Sequence, residues 1–499
     1  MKRILIQSFL GVFLLLNLSC HQNRLKTNEK ELVSEIILQE NEKLADEKAA
    51  FEKKISETDN KSSGGLRFKE NRSIDPQRPP IRIDIPGTKE NERNFKLSDI
   101  ASSVRYIKLQ NPPDTTLIYD NFFYRDDLMS TIRSDGEEII FQGLFGLTRF
   151  NMQGEYLETI WKNQTGIKIF GSSWVSYAGK DFYGIPPSFP VNISNGNIYF
   201  TFFDGPSGNG QVMKYKTGTN KMLSAQSQTE ISGLGIIPGD TLFNTHRNLF
   251  EGYSGIYGLG NGTWAGINQK WNAGKTGSLL VTYSEKGDTL CQFTDYDRIK
   301  NFNYSNGGRN AVQLSSYFYN NLLTIKQEYN DTVFRVIPPN RLLPIYIIDF
   351  GKYKFNYIDG FNPNFDLSEK LMLNSLVETN DFLFIRYTQN IDGPTNRKKN
   401  TVKFFYALFD KKVGKIYYNP GYTFLPEGIV NDIDGGMPFW PEFITQQGEM
   451  MKLVSGKILK DYISSPSFKK SDISDEKRQK QISMVAGLRN TNMVIIIVK

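Results

Sequence analysis

Two cysteines and two histidines occur in 499 residues, and their scarcity removes whole classes of chemistry. Cys20 stands behind the only long apolar run and Cys291 lies alone in DTLCQF, so a disulfide framework is excluded if Cys20 is consumed at the N-terminus. His21 sits beside Cys20, leaving His246 in FNTHRNLF as the one imidazole of the folded region. A histidine-based metal cluster is thereby excluded, and any Ser-His-Asp arrangement would have to use His246. No cofactor or metal is expected. Charge is also sparing: the formal net charge is +7, and loss of a leader containing Lys2 and Arg3 would lower it by two. So weak a basic excess on so long a chain gives no electrostatic footprint for nucleic acid.

Aromatic residues, by contrast, are plentiful. The chain carries 35 Phe and 25 Tyr although only 39% of its residues are hydrophobic, enough bulky side chains for a sizeable core. The N-terminus reads as an address. Lys2 and Arg3 precede the apolar run Ile4 to Leu18, which has the length of a secretory leader and falls short of a membrane span. Ser19-Cys20 resembles the lipobox of bacterial lipoproteins, which predicts a signal peptide at 1–19 and a lipidated Cys20. Asn17 departs from the usual aliphatic residue there, so a plain cleavage site stays open as an alternative. Acyl chains contribute about 0.8 kcal/mol per buried methylene, so a lipidated cysteine would hold the protein on a membrane.

Residues 20–93 read as a tether. Good helix formers dominate 28–57, where Asn28 and Glu31 have the spacing of an N-cap and its capping-box partner. Ile37, Leu44 and Phe51 recur every seven residues, but Glu40, Glu47 and Lys54 fill the alternate seam positions, so a solvated stalk and a partner-docking helix are both open. The stretch 60–89 is rich in Gly, Ser, Pro and charge and is expected to be a flexible linker.

From residue 94 to 499 one unit returns: strand, polar turn, strand. The turns are placed at Gln153-Gly154, Thr217-Gly218, Lys286-Gly287, Asn330-Asp331, Val413-Gly414 and, more weakly, Ser455-Gly456. Recurrence of one supersecondary unit marks a repeat architecture. Strands such as SLLVTY, KFFYALF and MVIIIV are apolar at nearly every position, which requires both faces to be covered, as they are in a propeller. The expected fold is therefore all-β, a six-bladed β-propeller of the monomeric kind behind a helical and disordered tether. Its ring would be closed by pairing SVRYIKL (Ser103 to Leu109) with MVIIIVK (Met493 to Lys499).

FKLSDIASSVRYIKLQ, FNMQGEYLETI, NDIDGGMPFWPEF and RNTNMVIIIVK together resemble the six-bladed β-propeller lipoproteins of Bacteroidota, a family known largely as domains of unknown function. The resemblance spans about Phe95 to Lys499. It implies the fold and an envelope location, and supplies no catalytic residues.

Within that frame the residues offer few sites. Asp432 and Asp434 in NDIDGG could hold calcium, but an EF-hand loop needs more oxygens, and turn chemistry accounts for Asp-Gly equally well. GLGNGTWAG lacks the Lys-Ser/Thr of a phosphate-binding loop and reads as loop packing. Trp174, Trp264, Trp271 and Trp440, with His246, are the candidate ligand-binding residues, since aromatic faces bury the apolar side of a sugar or peptide. Core packing is the competing reading for each tryptophan. Cys291 is expected to be a small core residue.

Two functions stay open. One is a noncatalytic envelope lipoprotein binding a glycan, a peptide or a protein such as an outer-membrane transporter. The other is a carbohydrate-active hydrolase or lyase using carboxylates at the channel mouth. No acidic residue follows Cys20 before Glu29, and the surface-export signal of such lipoproteins is acidic. The expected location is the outer membrane, facing the periplasm.

Overall fold

The structure is a computed structural model. It describes residues 68–112 and 131–499 apart from short gaps and the stretches 183–191, 217–227, 246–252, 269–276, 297–314, 357–368, 390–402 and 423–427. Between 161 and 256 it describes backbone, with the side chain of Ile198 added. Residues 1–67, and with them the leader, Cys20 and the 28–57 helix, lie outside the described residues.

Inward from the chain's ends, the architecture follows from strands that are apolar on both faces. Ser278–Tyr283 and Met493–Val498 are buried at every position, because each runs inside a sheet that is itself covered by neighbours. Outer strands alternate instead: Thr289–Thr294 and Val104–Lys108 each expose several positions. Successive antiparallel sheets are stacked side by side, their faces joined by apolar clusters. Leu280 and Phe293 of one sheet meet Ile325 and Val336 of the next. Tyr346 and Ile348 meet Leu376 and Ile385, Phe384 and Leu408 meet Val494 and Ile496, and Ile495 and Ile497 meet Ile139 and Phe150. The fold is an all-β propeller.

Five of its sheets have four strands and span residues 131–162, 192–245, 253–294, 371–422, and 443–498 with 104–108 added. The sheet at 315–349 has a fifth strand, Ile81–Asp84, paired in parallel with Arg341–Asp349. Six blades were expected; the described sheets give five four-stranded blades instead, and the sheet at 315–349 departs from that form through the strand added from the tether. A three-stranded sheet at 168–182 and a two-stranded hairpin at 228–238 are further additions.

Ring closure is formed by Val104–Lys108 pairing antiparallel with Met493–Val498, from Val104↔Val498 to Lys108↔Val494. Gly154 makes the joint to the first sheet: its φ is +83°, and a β-carbon there would run into the Lys108 carbonyl.

Part of the linker expected to be free is instead built in. The Phe68 amide donates to the Leu290 carbonyl at 2.7 Å, and Asn71 exchanges bonds with the Asn340 carbonyl and the Leu342 amide. Ile83 and Ile85, each 2% exposed, enter the cluster between the 315–349 and 371–422 sheets. The Arg93 amide donates to the Tyr418 carbonyl of the 371–422 sheet. The described residues between 68 and 97 thus touch the outer edges of three sheets, and alternating Ile81, Ile83 and Ile85 supply a strand where composition signalled only a spacer.

Two turn placements also change. The hairpin around residue 200 pairs Asn197–Asp204 with Asn209–Lys216, so its connection is at 205–208 and not at Thr217-Gly218. Ser455-Gly456 is no hairpin: Ser455 caps helix α1 (Gly456–Ser464), its hydroxyl accepting from the Ile458 amide. Helices α2 (Pro466–Lys469) and α3 (Asp475–Ala486) follow, and Leu459 and Val485 seal the cluster beneath them.

Candidate functional site in the central channel

Each sheet begins with its innermost strand, and these strands meet around a central channel. Thr131–Ser134 and Tyr253–Gly260 both contact Asn192–Ser194, Ser315–Tyr319 contacts Leu371–Glu378, and Leu371–Glu378 contacts Phe443–Ile444. Side chains bridge the remaining gaps. Tyr257 and Ser316 share a hydroxyl–hydroxyl bond of 2.7 Å, and the guanidinium of Arg133 lies 5.3 Å from the centre of the Phe443 ring. Phe318 stands beside Tyr257 with ring centres 6.4 Å apart.

Alternation places these groups. In Ser315–Tyr319, Tyr317 and Tyr319 are buried toward the 371–422 sheet, while Phe318 on the opposite face packs against the apolar cluster of the 253–294 sheet and Ser316 beside it is partly exposed. Likewise Ile132 enters the cluster toward the closing sheet, which turns Arg133 away from it. Arg133 donates from Nη1 to the Ile132 carbonyl at 2.8 Å. Burial pulls its pKa down, and Tyr257 acts in the opposite sense. Tyr257 is raised by burial, against the Ser316 bond and the Arg133 charge. Tyr257 is 5% exposed and, with Phe318, belongs to the apolar cluster between the 253–294 and 315–349 sheets, and Phe443 packs against the cluster that holds Ile132, so of this set Arg133 and Ser316 are the partly exposed polar groups left on the innermost strands.

A second polar constellation is closed to solvent. Glu378 is fully buried between the 315–349 and 371–422 sheets, accepting from Arg335 Nη2 at 2.9 Å on both oxygens, from Tyr317 at 2.9 Å and from Tyr346 at 2.8 Å. Lys411 Nζ is 2.6 Å from it. Burial pushes this carboxyl up, but Arg335 and Lys411 outweigh that and hold it at about 2. The same burial, with the Glu378 charge, drives Tyr317 and Tyr346 well above the usual phenol range. Every oxygen lone pair is directed at protein, so the cluster is an inter-sheet clamp.

The sequence-selected residues fall mostly elsewhere. Trp440 is 4% exposed, edge-on to Phe384 and Tyr406 at 5.2 and 4.9 Å, and Trp264 is 5% exposed with its ring laid over Gly258. Both are core residues, which corrects their place among ligand-binding candidates. Trp174 begins a strand of the three-stranded sheet, opposite Phe170, and its side chain is not among those described. His246 and Trp271 lie outside the described residues. The glycine-rich GYSGIYGLG is no loop; it is the innermost strand Tyr253–Gly260, whose Gly258 leaves room for Trp264. Asp432 accepts from the amide and hydroxyl of Ser98, and the Asp434 side chain accepts from the Gly436 amide, so both carboxylates brace the loop. Cys291 is 2% exposed, with its thiol pushed up to about 11 by burial and by Glu70. The channel residues Arg133 and Ser316 were missed. Their alternation within short strands was the available signal.

Residues 63–465 match the family described as Domain of unknown function (DUF4933). The chain belongs to that family. The DUF4933 match stops inside the helical insertion, ahead of the ring-closing strand. Among solved structures, a DUF4221-family member from Bacteroides vulgatus shares 10% identity at a TM-score of 0.38, over 80% of this chain and 97% of that one. Virginiamycin B lyase from Staphylococcus aureus shares 11% at a TM-score of 0.26, over 63% of this DUF4933 chain and 97% of its own. Overlaps this loose carry no inference about ligand or activity. No curated protein matches the chain.

Proposed function

We propose that this DUF4933 protein is a noncatalytic binding propeller of the cell envelope, held by a lipid on Cys20 at the periplasmic side of the outer membrane. Its ligand is a glycan or peptide element received in the central channel, presented by itself or by a protein partner such as a transporter. The single observation that supports a channel ligand is Arg133, partly exposed on an innermost strand beside the Phe443 ring and with no carboxylate partner among the described residues. A rigid ring places such groups with little freedom left to lose on binding, which favours affinity.

The test is a calorimetric screen of the purified protein against glycan and peptide sets, repeated with Arg133→Gln, which removes the cation from the innermost strand. Binding that is lost in this variant while the melting temperature holds is the expected result. A ligand that binds the variant as well as wild type places recognition elsewhere.

A further inference from the structure

The described residues of 68–86 lie on the ring without completing it. Ile83 and Ile85 alone among them are buried, while Ile74 and Ile81 are 53% and 42% exposed. Ile81–Asp84 is a short edge strand, and the 315–349 sheet keeps four antiparallel strands of its own without it. Ring closure uses Val104–Lys108 and Met493–Val498, both C-terminal to this segment. Two polar clasps hold it at the surface. Glu70 accepts from the Tyr296 hydroxyl at 2.5 Å and the Thr294 amide at 3.0 Å and pairs with Arg72 at 3.1 Å, and Arg82 pairs with Asp349 at 2.5 Å. Tyr296 and the Arg82 side chain are largely exposed, and ion pairs in such places add little stability. Phe95 and Leu97 are held differently. They are buried in the cluster between the 371–422 and 443–498 sheets, where the Leu97 amide donates to the Val430 carbonyl at 2.8 Å and the Val430 amide to the Phe95 carbonyl at 3.3 Å.

We propose that residues 68–86 are a detachable strap, which lifts off the outer edges of the 253–294 and 315–349 sheets while the ring stays closed, and whose release stops at Phe95 and Leu97. A segment with few buried apolar contacts opens at lower free energy than the body it lies on. A pull from the N-terminal side meets the Glu70 clasp first and the Ile81–Asp84 strand next, and it ends where two large apolar side chains enter the core. The chain freed between Phe68 and Phe95, about 27 residues, adds up to about 90 Å of reach at full extension. That reach rests on the lipid anchor proposed above; the detachment does not.

Hydrogen exchange of the purified full-length protein, read by mass spectrometry, tests the strap. Amides of 81–85 are expected to exchange at least about 100-fold faster than those of 493–498, with the Leu97 amide in the slow class. Glu70→Gln combined with Arg82→Gln is expected to speed 81–85 and the bared edge 341–349 together, by roughly several-fold, and to leave 493–498 unchanged. Equal protection of 81–85 and 493–498, equal acceleration of both in the variant, or exchange of the Leu97 amide in step with 81–85 would each overturn the proposal. Should the variant fail to fold, the wild-type comparison decides. A Cys20→Ala protein that pellets like wild type while the exchange pattern holds would refute the anchor and leave the strap standing.

Discussion

At Glu378 a single carboxylate is asked to satisfy two buried cations and two buried phenols. Glu378→Gln keeps the shape but removes the charge, leaving Arg335 and Lys411 uncompensated, and is expected to cost about 3–5 kcal/mol in urea unfolding. The wild-type pH dependence has a definite sign. The folded carboxyl sits at about 2, below its ordinary 4.5, so the stability it supplies is present above pH 4.5 and is lost as pH falls toward 2. Urea midpoints between pH 6 and pH 3 should therefore fall in wild type and fall less in Glu378→Gln; parallel curves would place the acid sensitivity elsewhere. Nothing in SLVETNDF announces this role, because Arg335 and Lys411 arrive from other strands through contacts the linear sequence does not display. Cys291 was legible for the opposite reason. An isolated cysteine in an apolar strand, with no His or Lys near it in sequence, reads as core, and burial keeps its thiol protonated.

Elements were readable where pattern and periodicity coincide. SLLVTY and MVIIIV announce doubly covered strands, and the turns at Gln153-Gly154, Lys286-Gly287 and Val413-Gly414 fall between paired strands. The Ile81–Asp84 strand was illegible because Ile81, Ile83 and Ile85 sit among Pro and charged residues, and a parallel edge pairing takes its register from a partner strand some 260 positions away. Helices α1 and α3 were missed although Ser455 and Ser474 are good caps, since the hydrophobic signal of the flanking strands dominated that stretch. Ile83→Ala should lower stability by about 2–5 kcal/mol in denaturant unfolding, whereas a free spacer would tolerate the change silently. Truncation before Met493 removes a middle strand and with it the partner of Val104–Lys108, so the product is expected in inclusion bodies or aggregates by size-exclusion chromatography. A soluble truncated protein with an unchanged thermal midpoint would refute ring closure as a requirement.

For the whole molecule, the propeller was legible from recurrence of one hairpin unit, and the enlarged sheet and the added small sheets were not, because insertions between repeats leave no period. The anchoring proposal is tested at the same scale. Cys20→Ala should move the protein from the membrane pellet to the soluble fraction, and protease added to intact cells should spare the propeller until the outer membrane is opened. A variant that pellets like wild type would refute the lipid anchor, and digestion in intact cells would refute the periplasmic orientation alone.

The seam between Val104–Lys108 and Met493–Val498 also sets a timetable. A polypeptide made or threaded from its N-terminus delivers the outer edge of the last sheet early and the middle strand of that sheet nearly 400 positions later. During that interval Ile107 and Leu109, which are buried in the finished ring, have no cover. Closure of the ring therefore waits on the last strand to be delivered, and the chain stays open until Met493–Val498 arrives.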